Sequence, residues 1–261
     1  MNSERKMHLL DYFKEGFRPD GRKLDEFRPI TIEAGTIKTA EGSAIVTIGG
    51  TRVIVGVKMQ VEKPYSDRPN EGTMMVGAEL YPMASPKFES GPPNAQSIEI
   101  ARVIDRGLRE SKAIDTKGLC LIPGEKCWSV IMDVCAMNEE GNLLDAGSIA
   151  ALAALNTTIF PGFDGTIVDY KHPSDRKLEL KKQPIAITVV KIANYLLVDP
   201  TNEEEQAMDA RLTVTTTAEG TICSLQKGGE ASLLPEEIQA MLELAKTKAK
   251  EIRGSLSGKG L

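Results

Sequence analysis

The sequence predicts an α+β or α/β fold with an internal duplication, and three observations support that prediction. Short segments rich in β-branched residues are bounded by Gly and Pro, as strands and their turns are. Longer segments repeat apolar residues at helical spacing. Strands followed by helices occur twice along the chain, so the order of elements indicates two similar halves, although no strong sequence repeat relates them.

An amphipathic helix is predicted at residues 1–17, before the first half, because Leu9, Leu10, Phe13 and Phe17 recur at helical spacing. Gly49-Gly50 marks a tight hairpin between two of the strands that follow. The predicted strands of this half cover residues 30–34, 44–48, 51–61, 73–82 and 128–137. Helices are predicted at residues 95–113 and 148–160; the second is rich in Ala and Leu on every side, so we expect it to be buried.

The second half begins after a mixed connector at residues 161–182. Two hairpins precede a final helix that has Pro235 in its first turn. Their strands cover residues 185–192, 195–198, 212–217 and 221–226. The predicted organisation is a helix of residues 1–17, a domain of residues 18–253 with halves of about 18–160 and 161–253, and a mobile tail of residues 254–261.

The composition is that of an ordinary globular protein and excludes several classes of site. The 261 residues are 41% hydrophobic and 26% charged, and no apolar run approaches the ~20 residues of a membrane helix. The start of the chain has no apolar signal region, which predicts a cytoplasmic protein. Four cysteines without C-x-x-C spacing and only two histidines argue against a zinc site, disulfides or a Ser/His/Asp triad. We therefore expect no cofactor.

The helix predicted at residues 95–113 carries the strongest candidate site. Arg102, Arg106 and Arg109 stand at i, i+4 and i+7, so they share one face, opposite an apolar face. Guanidinium groups suit planar, bidentate phosphate contacts, and with a net charge of −5 any nucleic-acid contact must come from such a local patch. The alternative is a solvated face whose arginines pair with acids of the same helix, which are Glu99, Asp105 and Glu110.

Two weaker candidates accompany this face. Gly147-Ser148, at the predicted start of the Ala-rich helix, could bind an anion through backbone N–H groups, but Ser148 could equally be an ordinary helix cap. A cluster of acids could ligate Mg²⁺, but acids in loops are more often solvated, so we predict no metal site. The cluster consists of Asp199, Glu203, Glu204, Glu205 and Asp209.

Several motifs make the chain recognisable. They are Arg18-Pro-Asp-Gly-Arg22, Glu26-Phe-Arg28, Gly35, Ala40-Glu-Gly-Ser43 and Gly50-Thr51-Arg-Val-Ile-Val55. With them, nearly the whole chain resembles the RNase PH family of phosphorolytic exoribonucleases. The resemblance implies an α+β, RNase PH-like fold of two duplicated β-α halves, with mixed sheets packed against helices.

Further motifs resemble one branch of that family, the non-catalytic ring subunit of the archaeal exosome. They lie at residues 91–111, 123–128, 198–201 and 208–211. The branch implies a hexameric ring of three heterodimers with a homologous catalytic subunit, together with RNA-binding cap subunits. RNA would enter a central channel and be shortened from its 3′ end by inorganic phosphate.

Two departures from the catalytic members of the family predict that this chain has no catalytic residues of its own. Catalytic members place a phosphate-holding Arg where this chain has Ile149, whose side chain cannot donate a hydrogen bond. They also carry an Asp where this chain has Arg211. Asp209 precedes that position by two residues and should lie about 6–7 Å away along the same strand face, too far to replace it without a shift in register.

The helix that contacts RNA phosphates in this family is present, and the resemblance implies RNA binding by Arg102 and Arg106. Arg109 is included in the predicted RNA-binding set, with pairing to an acid as its alternative. Two other functions stay open at this point. One is a self-sufficient exoribonuclease that uses Asp209 and Gly147-Ser148, and the other is a scaffold whose arginines make only protein ion pairs.

Overall fold

The computed structural model describes residues 2–256, which form a larger sheet of six strands, a smaller sheet of four strands and a two-stranded sheet, together with α-helices. The α-helices are α1 (Asn2–Lys14), α2 (Ala95–Glu110), α3 (Leu143–Asn156), α4 (Asn202–Ala207) and α5 (Pro235–Leu256). The strands of the first half are β1 (Ile30–Ala34), β2 (Gly42–Ile48), β3 (Thr51–Glu62), β4 (Thr73–Leu80), β5 (Cys120–Ile122) and β6 (Lys126–Asn138). Those that follow are β7 (Ile159–Phe163), β8 (Val168–Lys177), β9 (Ile185–Ile192), β10 (Tyr195–Val198), β11 (Ala210–Thr216) and β12 (Ile222–Gly228).

The larger sheet has the strand order β1-β2-β3-β6-β4, with β5 paired to β6. Neighbouring strands in this sheet run antiparallel, except that β4 runs parallel to β6. Strands β2 and β3 meet at the predicted Gly49-Gly50 turn. The smaller sheet has the order β10-β9-β11-β12 and is antiparallel throughout.

Helix α3 packs against β2 and β3 of the larger sheet and against β9 of the smaller one. Residues Ile149 to Leu155 are 0% exposed, and this requires a helix that is apolar around its whole circumference. Helix α2 packs on α3, β4 and β12, while α5 covers β9 and β11. The predicted fold class and the predicted burial of the Ala-rich helix, α3, are confirmed. Within the described chain, no helix combines the length and apolar character that a membrane span requires.

The predicted connector at residues 161–182 contains the antiparallel hairpin β7–β8 instead. Strand β8 was not recognisable because its sequence is polar and nearly all of its residues are exposed, so it lacks the alternation of a half-buried strand. Helix α4 was also missed. It is only six residues long, and it begins with a capping box in which Thr201 and Glu204 bond reciprocally.

The boundaries of four helices differ from the prediction. Helix α3 covers Leu143–Asn156 rather than residues 148–160, and the last two residues of the predicted helix belong to β7. Helix α1 ends at Lys14 rather than residue 17, and Gly16 follows with a φ of +84°. Helix α2 ends at Glu110, and Lys112 has a φ of +56°, so the helix cannot continue to residue 113. Helix α5 continues to Leu256, so the first three residues of the predicted mobile tail are helical. Residues 257–261 lie outside the described chain.

Candidate nucleic-acid interface

Helix α2 is held in place by a cap at its start and by its apolar face. The side chain of Asn94 accepts a hydrogen bond from the backbone N–H of Ser97 at 2.9 Å, which satisfies one of the free donors of the first turn. The residues of its buried face include Ile100, Val103, Ile104 and Leu108, each at most 4% exposed. The opposite face, which carries the three arginines, is therefore displayed on a rigid support.

Arg102 is exposed and makes no hydrogen bond or ion pair with any residue of the described chain. Glu99 lies three residues earlier, a spacing at which helical residues can pair. The carboxylate of Glu99 is bound elsewhere, to Arg211 and Gln226. All five N–H donors of the Arg102 guanidinium are consequently available to a ligand.

Arg106 is exposed as well, but strand β12 orients it. Its Nη1 donates to Oε1 of Gln226 at 3.1 Å, and its Nη2 donates to the carbonyl oxygen of Leu225 at 3.2 Å. Both acceptors are uncharged, so no carboxylate bound to the guanidinium offsets its positive charge. Arg106 is thus a preoriented cation with several free donors at the edge where α2 meets β12.

Arg109 differs from the other two because an acid binds it. Its Nε and Nη2 both donate to the carboxylate of Asp105, at 3.1 and 2.7 Å, and Nη2 also donates to the carbonyl oxygen of Met74. The hydrogen bond to Asp105 raises the pKa of Arg109. The alternative of an ion pair with Asp105 therefore holds for this arginine.

Sequence reasoning missed the partners that strands β11 and β12 contribute to this face. Arg211 binds Glu99 at 2.5 Å, and the amide of Gln226 lies between Glu99 and Arg106. Arg211 stood out in the sequence as a departure from the family pattern, but its partner did not. No sequence signal identifies Gln226, which lies 120 residues from Arg106.

The Gly147-Ser148 pair does not lie at a helix N-terminus, because α3 begins at Leu143. A Cβ on Gly147 would lie 3.1 Å from a methyl group of Ile104, so this glycine permits the close approach of α2 to α3. The predicted choice between an anion site and a cap is therefore wrong, since neither role exists inside the helix. Ile149 is 0% exposed and lies in the core.

Asp209 and Arg211 contact different parts of the molecule. The carboxylate of Asp209 binds Lys6 of α1 and accepts the backbone N–H of Ala193 at 2.7 Å. Arg211 binds Glu99 of α2. The expectation of two side chains on one strand face is wrong, because Asp209 precedes the first residue of β11.

The acids of the segment from residue 199 to 209 are mostly engaged by cations and backbone N–H groups. Asp199 is 0% exposed and binds Arg22 at 2.8 Å and Arg28 at 2.7 Å. Glu204 is 1% exposed and binds both Nε and Nη2 of Arg18. Within residues 2–256, no group of three or more His, Cys, Asp or Glu residues has the arrangement of a metal site.

Comparison with known families connects this fold to an enzyme class. A model described as the 3′ exoribonuclease family, domain 1 (RNase PH), matches residues 26–161, and the model of domain 2 matches residues 182–248. The chain belongs to the RNase PH family of 3′ exoribonucleases. The two matched regions correspond to the larger sheet with α2 and α3, and to the smaller sheet with α5.

The similar proteins within the RNase PH family include archaeal exosome components. Exosome complex component Rrp42 of Methanopyrus kandleri is 45% identical over 248 residues, which are 94% of this chain and 92% of that protein. A chain of the Archaeoglobus fulgidus exosome with RNA bound to the active site matches with a TM-score of 0.92 and 40% identity, covering 98% of this chain and 99% of that one. A chain of an archaeal exosome core matches with a TM-score of 0.86 and 37% identity, covering 97% and 96%. The predicted RNase PH-like fold and the resemblance to an archaeal exosome subunit are confirmed.

Proposed function

We propose that this chain is a non-catalytic, RNA-binding subunit of an archaeal-type exosome, a phosphorolytic 3′-to-5′ exoribonuclease complex. Arg102 and Arg106 bind RNA phosphates, while a homologous catalytic subunit performs the reaction. The observation that carries this proposal is the state of the two guanidinium groups. Both are exposed, and neither is paired with an acid of the described chain, although α2 contains several acids.

Two of the three acids of α2 support this assignment because each is bound by another arginine, and the third, Glu110, forms no ion pair with any described residue. Asp105 is bound by Arg109, and Glu99 by Arg211. Arg102 and Arg106 are therefore the arginines of this face that have no acidic partner in the described chain. We give Arg109 a smaller share in RNA binding, since two of its nitrogen atoms already donate to Asp105.

The absence of catalysis is argued from the two positions at which catalytic relatives carry functional side chains. Ile149 is buried in the core, so it cannot reach a phosphate ion. Arg211 is bound to Glu99 and is a cation where catalytic members have a carboxylate. Asp209, the candidate substitute, is bound to Lys6 on a different part of the surface. A self-sufficient exoribonuclease therefore has no support in this site.

The proposal extends to the assembly. We infer a hexameric ring of three heterodimers with the catalytic homologue, with RNA-binding cap subunits on the ring, in the cytoplasm. Support comes from the similarity, over almost the whole chain, to subunits of exosome structures. Contacts to the RNA backbone also suit a degradative complex, because phosphate contacts position a strand without reading its sequence.

The experiment is a phosphorolysis assay on the purified chain, alone and after addition of the catalytic homologue. We expect no phosphate-dependent release of nucleoside diphosphates from single-stranded RNA by the chain alone. Release should appear in the assembled complex. Release by the partner-free chain at a rate comparable to that of the complex would contradict the proposal, as would a failure of the two chains to assemble.

A further inference from the structure

The carboxylate of Glu99 is the centre of a chain of contacts that ends at Arg106. Nη2 of Arg211 lies 2.5 Å from Oε2 of Glu99, and Nε2 of Gln226 donates to Oε1 of Glu99 at 3.1 Å. The other end of the Gln226 amide, its Oε1, accepts from Arg106 at 3.1 Å. Three elements, α2, β11 and β12, therefore meet in one continuous network.

The backbone next to Arg211 is shaped to hold its side chain in this place. Arg211 on β11 is paired in register with Gly228 on β12. A Cβ at Gly228 would lie 2.6 Å from Cζ of Arg211, so only glycine lets the guanidinium lie across the neighbouring strand toward α2. The side chain is 13% exposed, and its Nη1 has no hydrogen-bond partner in the described chain.

Such an arrangement is unfavourable for Arg211 itself, because a buried donor without a partner weakens folding. What it achieves is the neutralisation of Glu99. Without Arg211, this carboxylate would stand three residues before Arg102 on the same helix and could pair with it. It would also add a negative charge close to a path meant for a polyanion.

The amide of Gln226 can accept a hydrogen bond from Arg106 and donate one to Glu99 at the same time. Its amide oxygen accepts from Arg106, and its NH₂ group donates to Glu99. A carboxylate at this position could accept from Arg106 but could not donate to Glu99. It would also neutralise the cation that RNA needs.

From this geometry, and resting on the proposed function, we propose that Arg211 and Gln226 are positioning residues for the RNA-binding pair. Arg211 neutralises Glu99 and so keeps Arg102 and Arg106 available to phosphate. Gln226 orients the Arg106 guanidinium without cancelling its charge. Arg211 therefore does not itself contact RNA.

The experiment measures the affinity of the assembled complex for a labelled single-stranded RNA, in the absence of phosphate so that no turnover occurs. Arg211→Met should weaken binding about fivefold, the effect of one uncompensated surface charge at close range. Glu99→Gln in the same chain should reverse the loss, so that the double variant Arg211→Met/Glu99→Gln binds within about twofold of the unaltered complex.

The dependence of binding on salt separates positioning from direct contact. The double variant should keep the log–log salt slope of the unaltered complex, whereas loss of a direct phosphate contact would flatten it by about 0.7. Lys227→Met is the matched control. It also removes one positive charge, but from the residue that follows Gln226 on β12 and faces the other side of the sheet. It should leave the affinity within about twofold.

Gln226→Glu keeps the proposal testable should Arg211→Met fail to assemble. It should weaken binding at least as much as Arg211→Met does, whereas Gln226→Leu should weaken it less.

A double variant Arg211→Met/Glu99→Gln that still binds RNA weakly, with a flattened salt slope, would overturn the proposal and make Arg211 an RNA contact. Full affinity in both Arg211→Met and Gln226→Glu, with weak binding in Arg102→Ala, would overturn it while the proposed function stands. If Arg102→Ala and Arg106→Ala also bind normally, the proposed function fails with it.

Discussion

Two groups of arginines in this chain have opposite roles. Arg18, Arg22 and Arg28 are at most 10% exposed in their side chains, and they are bound to the buried acids Asp199 and Glu204. The pair on α2 is exposed and is bound to no acid. The same side chain is therefore part of the architecture in one region and a candidate ligand-binding group in the other, and the difference lies in burial and pairing.

The buried group shows why the N-terminal motif is so recognisable. Arg18 donates to the backbone carbonyl oxygens of Val198 and Asp199 as well as to Glu204, so it joins the start of the chain to the second half. Arg28 similarly binds Asp199 and the carbonyl oxygen of Glu140. These contacts connect residues more than a hundred positions apart, and they make the motif a structural one.

The largest effect that this comparison predicts is the loss of stability in Asp199→Asn. The substitution preserves the shape of the side chain and the left-handed backbone, where φ is +47°, but it removes the acid that binds the buried Arg28 and one of the two acids that bind Arg22. The free energy of unfolding should fall by about 3–5 kcal/mol. Urea denaturation followed by fluorescence measures it, because Trp128 is the single tryptophan and is 2% exposed.

Glu203→Gln is the matched control for this prediction. Glu203 lies in the same acidic segment but is exposed, so its substitution should change the free energy of unfolding by less than about 0.5 kcal/mol. Equal effects of the two substitutions would remove the distinction between the buried and the exposed charges.

The stability lost in Asp199→Asn should depend on pH, and this dependence is a smaller effect than the loss itself. Burial acts to raise the pKa of Asp199, but the hydrogen bonds and charge of Arg28, with the amide of Asn142, outweigh burial and lower the pKa. The unfolded chain then binds the proton more readily, so the carboxylate contributes its full stability above its ordinary pKa of about 3.9 and loses it as the pH falls through the lowered value.

The stability difference between the unaltered chain and Asp199→Asn should therefore be largest near neutral pH and shrink below about pH 4. Denaturation curves at a series of pH values would show this trend. A difference that stays constant to pH 3, or one that grows on acidification, would mean that the Asp199 carboxylate is not stabilised by its arginines.

Features of the fold and site that depend on residues close in sequence could be predicted, whereas contacts between residues far apart in sequence could not. The arginine face of α2 and the burial of α3 were predictable because both depend on local periodicity. The start of α3 at Leu143, five residues before the predicted start, was not predictable, because the residue that precedes it, Asn142, has a left-handed backbone with a φ of +62°. The contact of Gln226 with Arg106 arises only when distant segments meet, so no local pattern contains it.

The same limit applies to the buried arginines. Sequence alone showed an acidic cluster without cations nearby, which suggested solvated acids or a metal site. The cations come from the opposite end of the chain, and folding brings Arg18 and Arg28 to Glu204 and Asp199. A charge cluster in a sequence therefore has no assignable role until the elements that cover it are known.

The most direct test of the central claim is the salt dependence of RNA binding by the assembled complex with the double variant Arg102→Ala/Arg106→Ala. Each arginine should contribute about 1–3 kcal/mol to binding, and loss of both contacts should flatten the log–log salt slope by about 1.4. The melting temperature should barely change, since Ala favours a helix more than Arg does. An unchanged affinity and slope, with a lower melting temperature, would show instead that these arginines make only protein contacts.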